Sequence, residues 1–152
     1  MSNSRKIPVV IGVGDIKNKS LKVEDALEPM QLMLKATELA IADANLSPAA
    51  SKKLQANIDS ISVVATWTWS YHDLPGLIGK KLGVEPKYKL LSDHGGNSPA
   101  KVFDEAARRI SFGETKVAVV TGGEASASCE FGPSVEGCMG GGERVEKHAD
   151  GI

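Results

Sequence analysis

Short apolar runs rich in β-branched residues recur along the chain, with polar or glycine-containing stretches between them. Most of these runs are apolar throughout their middle rather than alternating, which is typical of parallel strands that helices cover on both faces. They predict four β-strands, at Ile7–Val13, Ile58–Thr66, Tyr88–Leu91 and Lys116–Thr121.

Between these runs, apolar residues recur every three or four positions, which is the spacing of an amphipathic helix. The pattern predicts helices over residues 23–45, 74–82 and 98–112. Ser98 is suited to the N-cap of the last helix, and Pro99 to its first turn. Polar residues predict a surface loop over 15–23 and a helical turn or loop over 51–57. Strands that alternate with helices predict an α/β fold, a mostly parallel sheet with helices on both faces.

The composition changes from Cys129 onward, where glycines and charges dominate and neither a strand nor a helix period is sustained. We therefore expect an incomplete domain over residues 1–128 and a glycine-rich, flexible tail over residues 129–152. The tail holds both cysteines, Cys129 and Cys138, whose spacing fits no zinc motif. We expect no metal site.

Charge and hydropathy narrow the classes of partner. The 18 Lys and Arg residues nearly balance the 19 Asp and Glu residues, so the net charge is −1 and nothing favours nucleic-acid binding. No apolar run approaches the roughly 20 residues of a membrane-spanning helix. The chain has no secretory signal pattern and does not end in a peroxisomal tripeptide. We expect a cytoplasmic protein without a membrane partner, although a full-length relative could be peroxisomal.

Three of the seven aromatic residues lie within residues 67–71, directly after a predicted strand. Ligand-facing loops of open α/β sheets lie at such strand ends. These aromatics could equally pack against the core or a partner subunit. His72 and Asp73 follow them, but neighbours in sequence seldom face each other, so the sequence supports an acid/base pair only weakly.

Gly12-Val13-Gly14 after the first strand lacks the third glycine and the immediate helix of a dinucleotide-binding turn. The turn from His94 to Pro99 is a better candidate site. Its glycine pair lets backbone approach a ligand, and the following helix start provides N–H groups and a partial positive charge. Such a place suits a nucleophile, an oxyanion or a thioester carbonyl. A tight turn that needs positive φ, with Asn97 and Ser98 as caps, remains the alternative.

Several segments together resemble the N-terminal half of thiolase-superfamily enzymes. They are Ala106-Ala107 with Ile110 and Gly113, the strand and turn KVAVVTGGE, the helix EPMQLMLKATELAIADANL and the strand IDSISV. The likeness runs from about Ile7 to Ser128 and is nearest to the sterol-carrier-protein-type branch, often labelled acetyl-CoA acetyltransferases. It implies part of the layered αβαβα fold, an acyl-CoA or related thioester as substrate, no cofactor, and a homodimer or partner subunit. The interface would then include Leu90-Leu91 and the Trp67/Trp69 loop.

The resemblance also implies a missing nucleophile. The family's catalytic cysteine stands fourteen residues before the position of Ile110, and this chain has Gly96 there. Glycine cannot form an acyl-enzyme, so we expect a truncated, thiolase-like acyltransferase relative without ping-pong activity of its own. The alternatives are a non-catalytic acyl-CoA or lipid-binding or scaffold subunit, a retro-aldol type carbon–carbon lyase component, or an incomplete gene product. The candidate catalytic residues are His94 and Asn97, and the candidate substrate-binding residues are Gly95, Gly96, Ser98 and His72.

Overall fold

The computed structural model describes residues 5–20 and 22–126 of the chain. The predicted tail and both cysteines lie outside these residues. After a 3₁₀ turn at Val23–Asp25, the elements are α1 (Pro29–Asp43), α2 (Pro48–Ala56), β1 (Ile58–Val63), α3 (Leu74–Leu82), β2 (Tyr88–Leu91), α4 (Ser98–Ser111) and β3 (Val117–Thr121). None of these described helices has the length and apolarity needed to cross a membrane.

The three strands form a parallel sheet in the order β2-β1-β3. The crossover through α3 leads from β1 to β2 on one side, and the crossover through α4 leads back across β1 to β3 on the other. Because parallel crossovers are right-handed, these opposite steps place α3 and α4 on opposite faces of the sheet. The predicted α/β fold, with a parallel sheet between helices, is confirmed.

The main core lies between the sheet and the pair α1 and α3. Its members are apolar side chains from these three elements: Met30, Met33, Ile58, Ile61, Val63, Leu74, Ile78 and Leu82. Each such side chain stabilises the fold by about 1.5–3 kcal/mol when it is fully buried. Ser60 and Ser62 alternate with Ile61 and Val63 and are also buried. They therefore lie on the α4 face, where Val102 and Ala106 are buried too.

The helix boundaries differ from the sequence expectation in two places. The helix predicted from residue 23 begins only at Pro29, and its start is closed by a capping box between Glu28 and Gln31. The polar stretch 51–57 belongs largely to a full helix, α2, whose N-cap Ser47 accepts a hydrogen bond from the backbone N–H of Ala50 at 3.3 Å. A good cap and an N-terminal proline outweigh the weak apolar stripe there.

The strand predicted at Ile7–Val13 is wrong: residues 5–20 have no regular secondary structure. Ile7 is 86% exposed and Val13 is 70% exposed, so this apolar segment is not a buried strand. The segment lies against α1 instead. A Cβ atom at Gly12 would overlap the carbonyl oxygen of Ala40, and one at Gly14 would overlap that of Ala36. The two glycines therefore permit close packing on a helix, a role unrelated to dinucleotide binding.

Candidate functional site

The loops that follow the three strands meet at the carboxyl end of the sheet. They do so because the strands are parallel, so their carboxyl ends lie on the same side. The Trp67 ring, after β1, lies 4.2 Å from the ring of His94, after β2. Glu124, after β3, accepts hydrogen bonds from the backbone N–H of Trp67 and, at 2.6 Å, from the Thr68 hydroxyl. One carboxylate thus fixes the aromatic loop beside the candidate turn.

The turn between β2 and α4 is held by two serines. Ser92 Oγ accepts a hydrogen bond from the backbone N–H of Ala65 at 3.0 Å, which ties the turn to the end of β1. Ser98 Oγ donates to the carbonyl oxygen of Asp93 at 2.7 Å, and Ser98 is buried. Ser98 is therefore the first residue of α4 rather than its N-cap. Asn97 occupies the N-cap position and makes no side-chain cap hydrogen bond.

The two glycines of the turn are in different surroundings. Neither has positive φ, so the alternative of a turn that requires left-handed residues is wrong. A Cβ atom at Gly95 would lie 3.1 Å from Asn97 Oδ1 and 3.5 Å from Ser98 Oγ, which is crowded. A Cβ atom at Gly96 would meet nothing within 4 Å. Packing therefore does not demand glycine at position 96, and open space faces the N-terminus of α4.

Asp73 has a structural role. It is the N-cap of α3: Oδ1 accepts the backbone N–H of Gly76 at 2.9 Å, and Oδ2 pairs with Lys89 Nζ at 2.9 Å. The hydrogen bond from Lys89 and then that from Gly76 lower the pKa of Asp73. Both oxygens are thus engaged by partners other than the exposed His72. A binding role for His72 stays a prediction.

Tyr71 connects the aromatic loop to α1, a link that sequence reasoning missed. Its hydroxyl accepts the backbone N–H of Met30 at 3.2 Å and lies 3.3 Å from Glu28 Oε2, to which it donates. Burial, more than the neighbouring carboxylates Glu28 and Glu124, raises the pKa of Tyr71 to about 12. The tyrosinate is disfavoured in the folded protein, and deprotonation of Tyr71 would remove the hydrogen bond that it donates to Glu28.

This raised pKa predicts a loss of stability in alkali. The pKa of Tyr71 is about 12 in the folded chain and 10.0 for the free side chain. Its contribution to the free energy of unfolding is therefore complete below pH 10 and is lost between pH 10 and pH 12. The Tyr71→Phe variant should lack this part of the alkaline decline. Urea unfolding at pH 8, 10 and 11 measures it, with Tyr88→Phe as the matched control. Equal alkaline slopes for the wild type and Tyr71→Phe would contradict the prediction.

The remaining groups at the carboxyl end of the sheet define the chemistry that this candidate site can support. His94 is exposed at the turn, and the N-terminus of α4 favours an anion or a carbonyl oxygen beside it. Trp67 is 70% exposed and offers a flat apolar surface, whereas Trp69 is buried at 5%. Within residues 5–20 and 22–126, no three His, Cys, Asp or Glu side chains are grouped to hold a metal ion.

Several solved structures of thiolase-like proteins share this fold. A monomeric SCP2-thiolase like protein type 1 from Mycobacterium smegmatis matches 75% of this chain with 21% identity and a TM-score of 0.61. The priming β-ketosynthase of the R1128 polyketide pathway matches 82% with 17% identity and a TM-score of 0.62. An acetyl-CoA acetyltransferase from Syntrophomonas wolfei matches 76% with 23% identity and a TM-score of 0.54. No protein-family model and no curated protein sequence matches the chain.

The similarity covers most of this chain but a minor part of the matched proteins, between 22% and 44% of their length. At these identities it establishes the fold. The resemblance to the thiolase superfamily, which the sequence predicted, is confirmed at that level: the described chain has the architecture of one part of a thiolase-like protein.

Proposed function

We propose that this part of a thiolase-like fold binds an acyl-CoA or related thioester at the carboxyl end of the sheet. The site is formed by Trp67, His94 and the N-terminus of α4. The bound molecule is not converted to an acyl-enzyme by this chain, because position 96 carries no nucleophile. The chain therefore acts as a binding domain of the acyltransferase and ketosynthase type, and needs other residues for any thiolysis.

The observation that carries this proposal is the open space before α4. A Cβ atom at Gly96 would meet no atom within 4 Å outside its chain neighbours, and a 14-residue helix begins two residues later. Backbone N–H groups at a helix start polarise a carbonyl oxygen without needing a charged residue. The Trp67 ring provides an apolar wall beside it. The site can hold a thioester carbonyl although it lacks the group that would attack it.

His94 is the candidate general base at this site, and Asn97 the candidate hydrogen-bond donor. The His94 ring lies beside the Trp67 ring at an interplanar angle of 37°, and His94 is exposed. A base in that position would act on a bound molecule directly or through one water. Removal of His94 should therefore affect turnover, if any, more than binding, whereas removal of Trp67 should affect binding.

The homodimer implied by the resemblance belongs to this proposal as well. β2 is an edge strand of the described sheet, and Leu91 on it is 44% exposed. Trp67, in the loop after β1, is 70% exposed. Trp69, in contrast, is buried within its own chain. A dimer through this edge would cover Leu91 and Trp67. Sedimentation velocity across micromolar concentrations tests it, and a species of 16.0 kDa throughout would refute it.

Calorimetric titration with acetyl-CoA, with CoA and with a longer acyl-CoA tests the proposed site. We expect acyl-CoA to bind more tightly than CoA alone, and Trp67→Ala to weaken the acyl-CoA titration at least tenfold. His72→Ala decides whether His72 contributes. Glu38→Ala, on the exposed side of α1, is the matched control and should bind as the wild type does.

Free-thiol release measured in the same samples separates binding from catalysis. Binding without thiol release supports the proposal. Thiol release that survives Cys129→Ser with Cys138→Ser but disappears in His94→Ala would replace it with a catalytic role. Equal affinity for acyl-CoA in the wild type and Trp67→Ala would show that the thioester binds elsewhere.

A further inference from the structure

The two tryptophans of the aromatic loop are held in place by different means. Trp69 is 5% exposed, so burial of its ring fixes its position. Trp67 is 70% exposed, and its ring lies 4.2 Å from the ring of His94, which is exposed as well. Two exposed rings bury too little apolar surface to hold each other in one arrangement. The position of the Trp67 ring therefore depends on hydrogen bonds of the loop.

Glu124 accepts two of these hydrogen bonds. One oxygen of its carboxylate accepts the backbone N–H of Trp67, and the other accepts the Thr68 hydroxyl at 2.6 Å. Hydrogen bonds to an ionised acceptor are roughly twice as strong as those between neutral groups. Because the carboxylate binds two consecutive residues, it fixes the direction of the backbone as well as its place. The loop is thus held at the residue that carries the exposed ring.

The turn after β3 brings Glu124 to that position. Gly122 lies against the end of β1, because a Cβ atom there would be 2.9 Å from Val64 Cβ, closer than Cβ atoms approach in proteins. The backbone N–H of Val64 also donates to the carbonyl oxygen of Thr121 at 2.9 Å. Gly123 is under no such restriction, since a Cβ atom there would make only an ordinary contact. The close approach at Gly122 therefore places the carboxylate, two residues later, within reach of the aromatic loop.

The other anchors of the aromatic loop lie on either side of the ring. Ser92 Oγ accepts the backbone N–H of Ala65 at 3.0 Å before it, and the Tyr71 hydroxyl anchors the loop to α1 after it. A segment that is held at both ends can still turn the residues between them. Loss of Glu124 should therefore release the Trp67 ring while the ends of the loop keep their places.

We infer that Glu124 is a positioning residue for the thioester site. It sets the Trp67 ring against His94, does not touch the bound molecule, and thereby determines how tightly the site binds. The effect on affinity rests on the proposed function, whereas the effect on the ring contact does not. Glutamine at this position would accept the Trp67 N–H and donate to Thr68, so it should replace the carboxylate. Alanine should not.

The ring contact is measured first, without ligand, by nuclear magnetic resonance on the full chain with labelled histidine. The chain has three histidines, and the ring current of Trp67 shifts the ring-proton signal of His94. His94→Ala assigns this signal, and Trp67→Ala gives its unshifted position. We expect Glu124→Ala to move the signal to that unshifted position and Glu124→Gln to leave it near the wild-type one. Glu114→Ala, at an exposed acidic residue before β3, is the matched control and should not move it.

Thr68→Val removes only one of the two hydrogen bonds and should move the His94 signal part of the way. It replaces Glu124→Ala in the test if that variant fails to fold. An unmoved His94 signal in Glu124→Ala or, failing that, in Thr68→Val would overturn the inference. So would a signal in Glu124→Gln that matches the one in Trp67→Ala, because the glutamine keeps the hydrogen bonds that the inference invokes.

Calorimetric titration with acetyl-CoA then connects the ring contact to binding. We expect at least tenfold weaker binding for Glu124→Ala, no further loss when Trp67→Ala is added, and binding close to the wild type for Glu124→Gln. A further tenfold loss in the double variant would overturn the inference, because Glu124 would then act on the ligand by another route. A wild-type chain that does not bind acetyl-CoA would refute the proposed function and any effect of Glu124 on affinity. The His94 signal would still decide whether Glu124 positions Trp67.

Discussion

Replacing Gly12 by alanine is expected to detach the N-terminal segment from α1. A Cβ atom at this position would overlap the backbone carbonyl of Ala40, and a helix backbone cannot shift as a flexible side chain does. Overpacking of this kind costs about 1–3 kcal/mol. For a chain of 152 residues, at about 2–4 °C for each kcal/mol, we expect the melting temperature to fall by roughly 2–12 °C.

Hydrogen exchange shows whether detachment is the cause of that loss. The Val13 amide, which donates to Asp43, should lose protection in Gly12→Ala while the amides of β1 keep theirs. Gly123→Ala is the matched control, because a Cβ atom there would lie 3.8 Å from Met33, an ordinary contact. A Gly12→Ala chain that melts like Gly123→Ala would show that the segment is not packed on α1 as described.

A cysteine introduced at position 96 is expected to be a reactive thiol without a cost in stability. No atom lies within 4 Å of a Cβ atom there, and the backbone does not have positive φ. The position precedes the N-terminus of α4, where a thiolate is stabilised and the thiol pKa falls. In a Cys129→Ser and Cys138→Ser background, we expect iodoacetamide at pH 7 to label Gly96→Cys about tenfold faster than an unstructured peptide thiol.

The matched control for this thiol lies at the other end of the same helix. Arg108→Cys introduces an exposed cysteine in the last turn of α4, where the helix dipole disfavours a thiolate. It should react no faster than the unstructured peptide. Equal labelling rates for Gly96→Cys and Arg108→Cys would show that the N-terminus of α4 does not activate a thiol at the position that precedes it.

Apolar runs alone predicted β2, β3 and α3 closely, because each has sequence neighbours that end it clearly. They also predicted the start of β1, which ends at Val63 rather than at Thr66. Gly83, for instance, ends α3 in the left-handed conformation that glycine accepts. The same reasoning failed at Ile7–Val13, which has the composition of a buried strand. A strand exists only where another strand offers hydrogen bonds, and residues 7–13 pair with none of the three described strands.

The candidate turn was found from its glycines and the helix that follows. Its surroundings could not be found in this way. Glu124, which fixes the aromatic loop, is more than fifty residues from Trp67 in sequence. The division of the tryptophans into an exposed Trp67 and a buried Trp69 was also invisible, since both have the same composition around them.

By itself, the sequence determined the order of elements from β1 to β3, the parallel sheet and the thiolase-like resemblance. Each depends on local periodicity and on residues that start or stop an element. The tertiary structure alone decided the rest. It decided that Asp73 caps a helix, that Gly12 and Gly14 allow close packing, and that position 96 is open. It also decided that, within the described residues, the outer edge of β3 has no strand partner. These properties depend on which distant backbones and side chains meet, and no local pattern records those contacts.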